Sequence, residues 1–324
     1  MITLIVLVCA SCSFGAAASA ASAEAGAAEA SSAASAETEA EDVASAAHAA
    51  DGAVPESISR YSMTTLEIEK LAEFPPPEPG AYHQGAAVTS DGLCMAFLSG
   101  ESSEGNPLLV LDTETWQTVD SLTEELSHAN DLCYVPAAGE IYVLPMDVPQ
   151  IIVLDEETFE VKRTIDVPQI YHAIGYDEDR DCFAAIYAEG KGSEKRLTCD
   201  ILDNTCTKVL RSFPTDTNLV YQGLAVHDSK VYYSCWKREE GSTEHKTVYD
   251  DLLEVNDNVV YVYDYEGNLV DAMLIRMPEG YNTFEIEAVS FLGDRMILTF
   301  NENLADEDNT LMIGVWGQSS TSLE

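Results

Sequence analysis

Two stretches of the chain, QGAAVTSDGLCMAF at residues 84–97 and QGLAVHDSKVYYSC at residues 222–235, align without a gap. Each begins with a polar residue, continues as a short apolar run, turns, and resumes as a second apolar run, which is typical of a β-hairpin. The same pattern returns three more times, beginning at Asp131, His172 and Glu287. Because self-similarity at a regular period is the signature of a repeat architecture, five repeats organise this chain.

The spacing of the repeats predicts an all-β fold, a five-bladed β-propeller with four-stranded blades over residues 60–318. Consecutive first residues are 47, 41, 50 and 65 positions apart, which fits four short strands in each unit. The last unit lacks a fourth strand, so we expect the N-terminal strand Thr64–Phe74 to supply it and close the ring. A six-bladed ring is the alternative, but the long gap contains Glu239–Asn258, which is too polar for an inner strand.

The first 59 residues predict export and tethering. Ile2–Val8 is apolar and is followed by small residues and Cys12, which resembles the lipobox of bacterial lipoproteins, so we predict an export signal over residues 1–12 and lipidation of Cys12. No Lys or Arg precedes Arg60, so either the true start lies upstream, which we favour, or the segment is a poor signal. The Ala-, Ser- and Glu-rich residues 13–59 predict a disordered acidic linker. Cleavage near residues 15–18, giving a free secreted protein, is the alternative, and residues 319–324 are a predicted tail.

The formal net charge of −41 restricts the partners. Nucleic acid is excluded as a partner, because phosphate binding needs clustered Lys and Arg. Binding to a membrane is expected only through the lipid anchor. We therefore expect an extracytoplasmic monomer that binds a small molecule, a peptide or a glycan.

The first residue of every repeat is polar although it opens an apolar strand, and this regularity nominates a site. The innermost strands of a propeller begin on one face, so these residues should converge at the mouth of the central channel, as ligand-binding groups do. Polar residues at strand starts also satisfy free backbone groups, which is the structural alternative for any one of them. The predicted ligand-binding residues are Gln84, Asp131, His172, Gln222 and Glu287, with the neighbours His83, His128, Asn130, Tyr171, Tyr221, Glu285 and Trp236.

An enzyme at the same mouth is the alternative function. Asp131, His172 and Glu287 would be its catalytic acid and base groups, or the ligands of a divalent metal such as Ca²⁺ or Zn²⁺ in a metal-assisted hydrolase or lyase. The chain has no G-x-S-x-G, H-E-x-x-H, P-loop or G-x-G-x-x-G motif. We therefore favour binding over catalysis.

Two further features concern covalent links and loops. Cys199 and Cys206 flank a predicted turn, so a disulfide between them is expected in an oxidising compartment. The polar insertion after Trp236 is long enough to be a lid over the mouth, or a solvated excursion with one short helix.

The repeats resemble the quinoprotein/YVTN/NHL-like β-propellers of bacterial envelopes. More narrowly, Tyr82-His83-Gln84-Gly85-Ala86 and Tyr221-Gln222-Gly223-Leu224 resemble the F-T-Q-G-L opening of the five-bladed glutaminyl-peptide cyclotransferases. That resemblance implies an activity on glutaminyl peptides. It also implies that acidic residues at neighbouring blade starts, here Asp131 and Glu287, handle the substrate amine and amide.

Overall fold

A computed structural model describes residues 63–78, 80–98, 106–124, 126, 128–238, 245–277, 284–302 and 310–321. The described chain is all β apart from turns and two single-turn 3-10 helices, Pro136–Ala138 and Gly192–Glu194. The predicted export signal, Cys12 and the predicted linker lie outside the described residues. No helix within the described ranges is long and apolar enough to cross a membrane.

Three of the repeats form separate four-stranded antiparallel sheets, each with its strands hydrogen-bonded in chain order. Their strands are β2 (Tyr82–Val88), β3 (Leu93–Leu98), β4 (Asn106–Leu111) and β5 (Thr118–Glu124); β6 (Ala129–Val135), β7 (Glu140–Pro145), β8 (Gln150–Asp155) and β9 (Val161–Asp166); and β10 (Tyr171–Asp177), β11 (Cys182–Glu189), β12 (Arg196–Leu202) and β13 (Val209–Pro214).

The last two repeats and the N-terminal strand form one eight-stranded sheet in the order β14-β15-β16-β17-β1-β20-β19-β18. Its strands are β14 (Val220–His227), β15 (Lys230–Trp236), β16 (Asn258–Asp264), β17 (Leu269–Ile275), β18 (Phe284–Leu292), β19 (Arg295–Glu302), β20 (Thr310–Thr321) and β1 (Met63–Phe74).

Strand β1 explains why the described strands form four sheets where five were predicted. It pairs antiparallel with β20 along its whole length, from Met63 opposite Thr321 to Phe74 opposite Thr310, so it supplies the missing edge. Its other edge pairs in parallel with β17, with Thr64 opposite Met273, and this joins the two last repeats into one hydrogen-bonded sheet. The pairing also carries β20 to Thr321, into the segment predicted as a tail.

The first strands of the five repeats surround a central channel. β2 contacts β6, β6 contacts β10, β10 contacts β14, β14 contacts β18, and β18 contacts β2, which closes a ring. The buried apolar side chains divide into five clusters, and each cluster lies between the strands of two consecutive repeats. This is the arrangement of a β-propeller, in which each sheet buries both faces against its neighbours.

An aspartate that ends the third strand, or directly follows it, has a local role in the tight turn of several repeats. The Oδ1 atom of Asp112 accepts hydrogen bonds from the backbone N–H of Thr115 at 2.7 Å and from its hydroxyl at 2.7 Å. Asp155 makes the equivalent bonds to Thr158, at 3.1 and 3.2 Å. These bonds lower the pKa of Asp112 from its ordinary value, the Thr115 hydroxyl first. The repeated aspartate is therefore a turn residue.

The predicted Cys199–Cys206 disulfide is not formed, and both thiols are free and buried. Cys199 lies on β12 opposite Phe213, whereas Cys206 lies in the turn after β12 with a positive φ of 59°. The two side chains belong to different apolar clusters, on opposite faces of their sheet. The prediction was wrong because the turn is longer than the one assumed, which moves Cys206 out of register with Cys199.

The described part of the insertion after Trp236 is fastened to the fold and contains no helix. Asp250 is 2% exposed and accepts hydrogen bonds from Thr217 Oγ1 at 2.8 Å and Tyr261 Oη at 2.6 Å. The buried Lys237 donates from Nζ to the carbonyls of Asp250 at 3.2 Å and Leu253 at 2.8 Å. Residues 245–257 are therefore anchored to the fold at Asp250 and Leu253, although about half of these residues are exposed.

Leu66 tests the closing role of β1, because it is 3% exposed and packs in the cluster that contains Met273 and Ile275 of β17. We expect Leu66→Ala to lower the free energy of unfolding by about 2–4 kcal/mol, since it leaves a cavity at the closure. Leu210→Ala is the control, because Leu210 is 54% exposed and should change stability by no more than about 0.5 kcal/mol. Urea unfolding followed by fluorescence measures both; equal effects would contradict closure through β1.

Candidate functional site

Every first strand carries a β-bulge at the position that the sequence nominated. The register of β2 shifts between His83 and Ala86, and the other four first strands shift at the equivalent place. A bulge breaks the alternation of a strand and redirects side chains, and bulges are frequent beside functional sites. The bulged residues include Gln84, Asn130, His172, Gln222 and Glu287, and Asp131 directly follows one of them.

Asp131 joins three first strands at the centre of the channel. Its side chain is buried, with 1% exposure. Oδ2 accepts hydrogen bonds from the backbone N–H groups of Ile174 at 2.9 Å on β10 and Leu224 at 3.1 Å on β14, and Oδ1 accepts one from Leu132 at 2.9 Å. Burial raises the pKa of Asp131 from 3.8 to about 8, and the three N–H groups oppose that rise. The carboxyl is therefore a tie between strands, with its oxygens already occupied.

Glu287 is the second buried acid, 5% exposed, on β18. Its Oε1 accepts a hydrogen bond from Asn301 Nδ2 at 2.7 Å, and Asn301 also exchanges two bonds with the backbone of His83, at 2.8 and 3.0 Å. Burial, reinforced by the nearby charge of Glu285, raises the pKa of Glu287 well above its usual range. Burial therefore holds the pKa values of both buried acids, Glu287 and Asp131, above their ordinary values.

Three residues predicted to meet a ligand are part of the core. His83 is fully buried, and burial lowers its pKa to about 3, so the ring is neutral. A neutral ring must donate from Nδ1 to the carbonyl of Ala96 at 3.2 Å and accept at Nε2 from the Thr299 hydroxyl at 2.7 Å. Tyr171 is also fully buried, with its hydroxyl on Asp200 Oδ2 at 2.8 Å, and Trp236 is 5% exposed.

The remaining predicted residues are partly exposed, unlike the buried Asp131 and Glu287. We call this set the mouth ring, and its members are given at the end of this paragraph. They are tied by hydrogen bonds, from His128 Nε2 to Gln84 Oε1 at 2.5 Å, from Gln222 Nε2 to Glu285 Oε1 at 2.6 Å, and from Asn130 to the carbonyl of His172. The members of the mouth ring are Gln84, His128, Asn130, His172, Tyr221, Gln222 and Glu285.

Lys195, which was not among the predicted residues, also contacts the mouth ring. Lys195 Nζ lies 4.2 Å from the ring centroid of Tyr221, and the His172 ring lies 5.2 Å from the same Tyr221 ring. Burial lowers the pKa of Lys195, and burial together with the Lys195 charge lowers the pKa of His172. Lys195 lies between β11 and β12, and loops between second and third strands rim this face. That position was the signal available in the sequence.

The predicted metal or catalytic set of Asp131, His172 and Glu287 is not assembled. In the described part of the chain, no three His, Cys, Asp or Glu side chains are placed to hold a metal ion. The reason is depth, because Asp131 and Glu287 are buried and bonded to other groups whereas His172 is partly exposed against Tyr221. The positions of these three residues along the chain do not indicate how deeply each side chain is buried in the channel.

Comparison with known proteins supports the fold. No family model and no curated protein matches the sequence. The structure is similar to a glutaminyl cyclase from Myxococcus xanthus, with a TM-score of 0.53 and 10% identity over 80% of this chain and 99% of that chain. It is also similar to the tail fibre of Staphylococcus aureus phage P68, with a TM-score of 0.52 and 14% identity over 78% of this chain and 53% of that chain.

At these identities the likeness shows the fold alone. The fold is that of a β-propeller. The likeness to a glutaminyl cyclase agrees with the resemblance seen in Gln84-Gly85 and Gln222-Gly223, both of which lie in bulges of the first strands.

The variant Asp131→Asn tests whether the buried Asp131 carboxyl has a raised pKa in the folded protein. The unfolded chain releases this proton near pH 3.8 and the folded protein near pH 8. Between those values the folded state binds more protons, so this group lowers the free energy of unfolding by about 1.4 kcal/mol for each unit that pH rises. The destabilisation caused by Asp131→Asn should therefore be largest near pH 5 and should shrink towards pH 8.

Urea unfolding of the parent protein and of Asp131→Asn at several pH values between 5 and 8 measures the difference in their free energies of unfolding. The contributions of the other titrating groups cancel in this difference. A difference that is independent of pH, or that widens as pH rises, would mean that Asp131 is ionised in the folded protein.

Proposed function

We propose that the mouth ring binds a small molecule that carries an amine beside a carboxylate or an amide, such as an amino acid or the end of a peptide. The observation that carries this proposal is the pair of consecutive residues Tyr221 and Gln222. Tyr221 supports the Lys195 ammonium at 4.2 Å, and Gln222 holds the Glu285 carboxylate at 2.6 Å. A cation and a carboxylate thus contact two consecutive residues at the start of one strand.

The electrostatics of the mouth favour such a ligand over an uncharged glycan. Lys195 and His172 are partly buried, and this burial lowers the pKa of each. A desolvated ammonium gains more from a ligand carboxylate or amide oxygen than an exposed one, because the local dielectric constant is lower. The amide groups of Gln84, Asn130 and Gln222 add donors and acceptors that suit a peptide backbone.

The fold that presents this mouth is, in our proposal, a five-bladed propeller. The eight-stranded sheet then serves as two blades, β14–β17 and β18-β19-β20-β1, joined at one edge. The closed ring of five first strands and the five apolar clusters support this division. We further propose that the propeller is displayed outside the cytoplasm, anchored through Cys12 and the acidic residues 13–59.

Isothermal titration calorimetry with the dipeptide Gln-Ala and with maltose tests the mouth. We expect Gln-Ala to bind and maltose not to bind. Lys195→Ala and Gln222→Ala should each weaken binding by about tenfold or more, since each removes a hydrogen bond to a charged group. The controls are Lys191→Ala, an exposed lysine of the same loop, and Gln150→Ala, an exposed glutamine that is bonded to Asp166 at 2.9 Å. Equal losses in the controls, or none in the mouth variants, would refute the proposal.

Glutaminyl cyclisation is the second candidate function, and the similarity to the Myxococcus xanthus glutaminyl cyclase over 99% of that chain favours it. In this reaction the substrate α-amine nitrogen attacks its own side-chain amide carbon, a C–N bond forms, and the C–NH₂ bond breaks. One proton passes from the α-amine to the departing ammonia. Glu285 is the mouth carboxylate that we assign to meet the amine, because the oxygens of Asp131 are already occupied.

Ammonia release from Gln-Ala separates the two candidates. If the chain is a cyclase, release should be proportional to protein concentration and should fall about a hundredfold in Glu285→Gln. Glu254→Gln is the control, because Glu254 is exposed on the insertion. Binding of Gln-Ala without ammonia release would leave the binding function in place and refute the cyclase.

A further inference from the structure

The hydrogen bonds of the mouth ring fix which nitrogen of His128 carries a hydrogen. Gln84 Nε2 donates to the backbone carbonyl of His83 at 2.8 Å, and a carbonyl oxygen can only accept. The Gln84 amide is therefore oriented with Oε1 towards His128, whose Nε2 lies 2.5 Å from that oxygen. Because Oε1 also only accepts, His128 must donate a hydrogen from Nε2.

The other ring nitrogen of His128 is left for a ligand. A neutral imidazole with its hydrogen on Nε2 has a lone pair on Nδ1, which accepts a hydrogen bond. Within the part of the chain that the structure describes, no hydrogen bond joins Nδ1 to another group, and His128 is partly exposed. His128 therefore offers one acceptor at the mouth.

The surroundings of His128 favour the neutral ring. Burial lowers the pKa of His128 from its ordinary value of 6.5, and the charge of Asp147 opposes this. Asp147 lies in the turn between β7 and β8, where the N–H of Met146 donates to the His128 carbonyl at 2.7 Å. Gln84, which faces the ring from β2, is uncharged. Protonation of the ring would convert Nδ1 from an acceptor into a donor.

The second Gln-Gly pair has an equivalent arrangement with a different partner. Gln222 Nε2 donates to Glu285 Oε1 at 2.6 Å, whereas Gln84 Oε1 accepts from His128. An amide can do either, because it contains both a donor and an acceptor. Each glutamine therefore holds in place a side chain that accepts hydrogen bonds, an imidazole in one case and a carboxylate in the other.

We infer that His128 Nδ1 accepts a hydrogen bond from an N–H group of the ligand, so the mouth holds its ligand while His128 is neutral and releases it when His128 is protonated. This inference rests on the proposed function, because it concerns the same ligand. It gives His128 a role in specificity, and it makes release depend on acidification.

The test is calorimetric titration of Gln-Ala at pH 7.5 with two variants that each keep one half of the imidazole. The amide of asparagine reaches the position of Nδ1, and the amide of glutamine reaches that of Nε2. We expect His128→Gln, which keeps the bond to Gln84 and loses the acceptor, to weaken binding about tenfold. His128→Asn, which keeps an acceptor, should stay within about threefold of the parent protein. The reverse order, or equal losses, would mean that His128 acts only through Gln84 and would overturn the inference.

The pH dependence of binding tests the release. The affinity of the parent protein should fall as the pH drops below 6.5, by up to about tenfold for each unit, since protonation removes the acceptor. The fall should be lost in His128→Asn. It should be kept in the matched control His245→Asn, because His245 lies on the insertion, 3.9 Å from Asp216. A fall that survives in His128→Asn would contradict the role of His128.

A measurement on the parent protein needs no variant. Because the ligand binds the neutral ring, bound Gln-Ala should lower the pKa of His128, which the pH dependence of its imidazole NMR signals reports. An unchanged pKa with Gln-Ala bound would overturn the inference and leave the proposed function in place. Absence of Gln-Ala binding at pH 7.5 would instead refute the proposed function itself, so the two failures are distinguishable.

Discussion

The hydrogen bonds of Asp131 are the constraint on which the central channel depends. One carboxyl group accepts N–H groups from its own strand and from two others, so three strands of the ring are fixed at one depth. A buried carboxyl of this kind costs free energy unless its oxygens are bonded or it takes up a proton. Here three backbone N–H groups bond the two oxygens.

Close contact between neighbouring strands makes this arrangement feasible. A Cβ atom at Gly85 would lie 2.5 Å from Asp131 Cα, and one at Gly223 would lie 2.8 Å from the Glu287 carbonyl oxygen. Both glycines follow the glutamines of the mouth ring and lie in the bulges. The Gln-Gly pair therefore combines a polar side chain that faces the opening with a residue small enough for the next strand to approach. This explains the recurring dipeptide without any appeal to catalysis.

The described core uses buried polar groups to fix segments that have few apolar side chains of their own. Asp250 and Lys237 fasten the polar insertion, and Asn301 joins Glu287 to the backbone of His83. In a chain with a net charge of −41, burial also raises the pKa of Glu287, which disfavours one further negative charge. The exposed carboxylates then remain to shape the field at the channel ends.

The sequence by itself determined the repeat, the hairpins and the closing strand, because a period of two in hydrophobicity and the turn residues are local signals; Asp112 is an example. It also found the mouth ring, since a polar residue at the start of an apolar strand is visible along the chain. Only the tertiary structure decided which of the site residues are buried in the channel. It placed Asp131 and Glu287 inside and His172 outside, brought Lys195 to Tyr221, and joined β1 to β17. Depth and edge pairing depend on bulges and on contacts between distant residues, and neither is encoded in the spacing of residues along one chain.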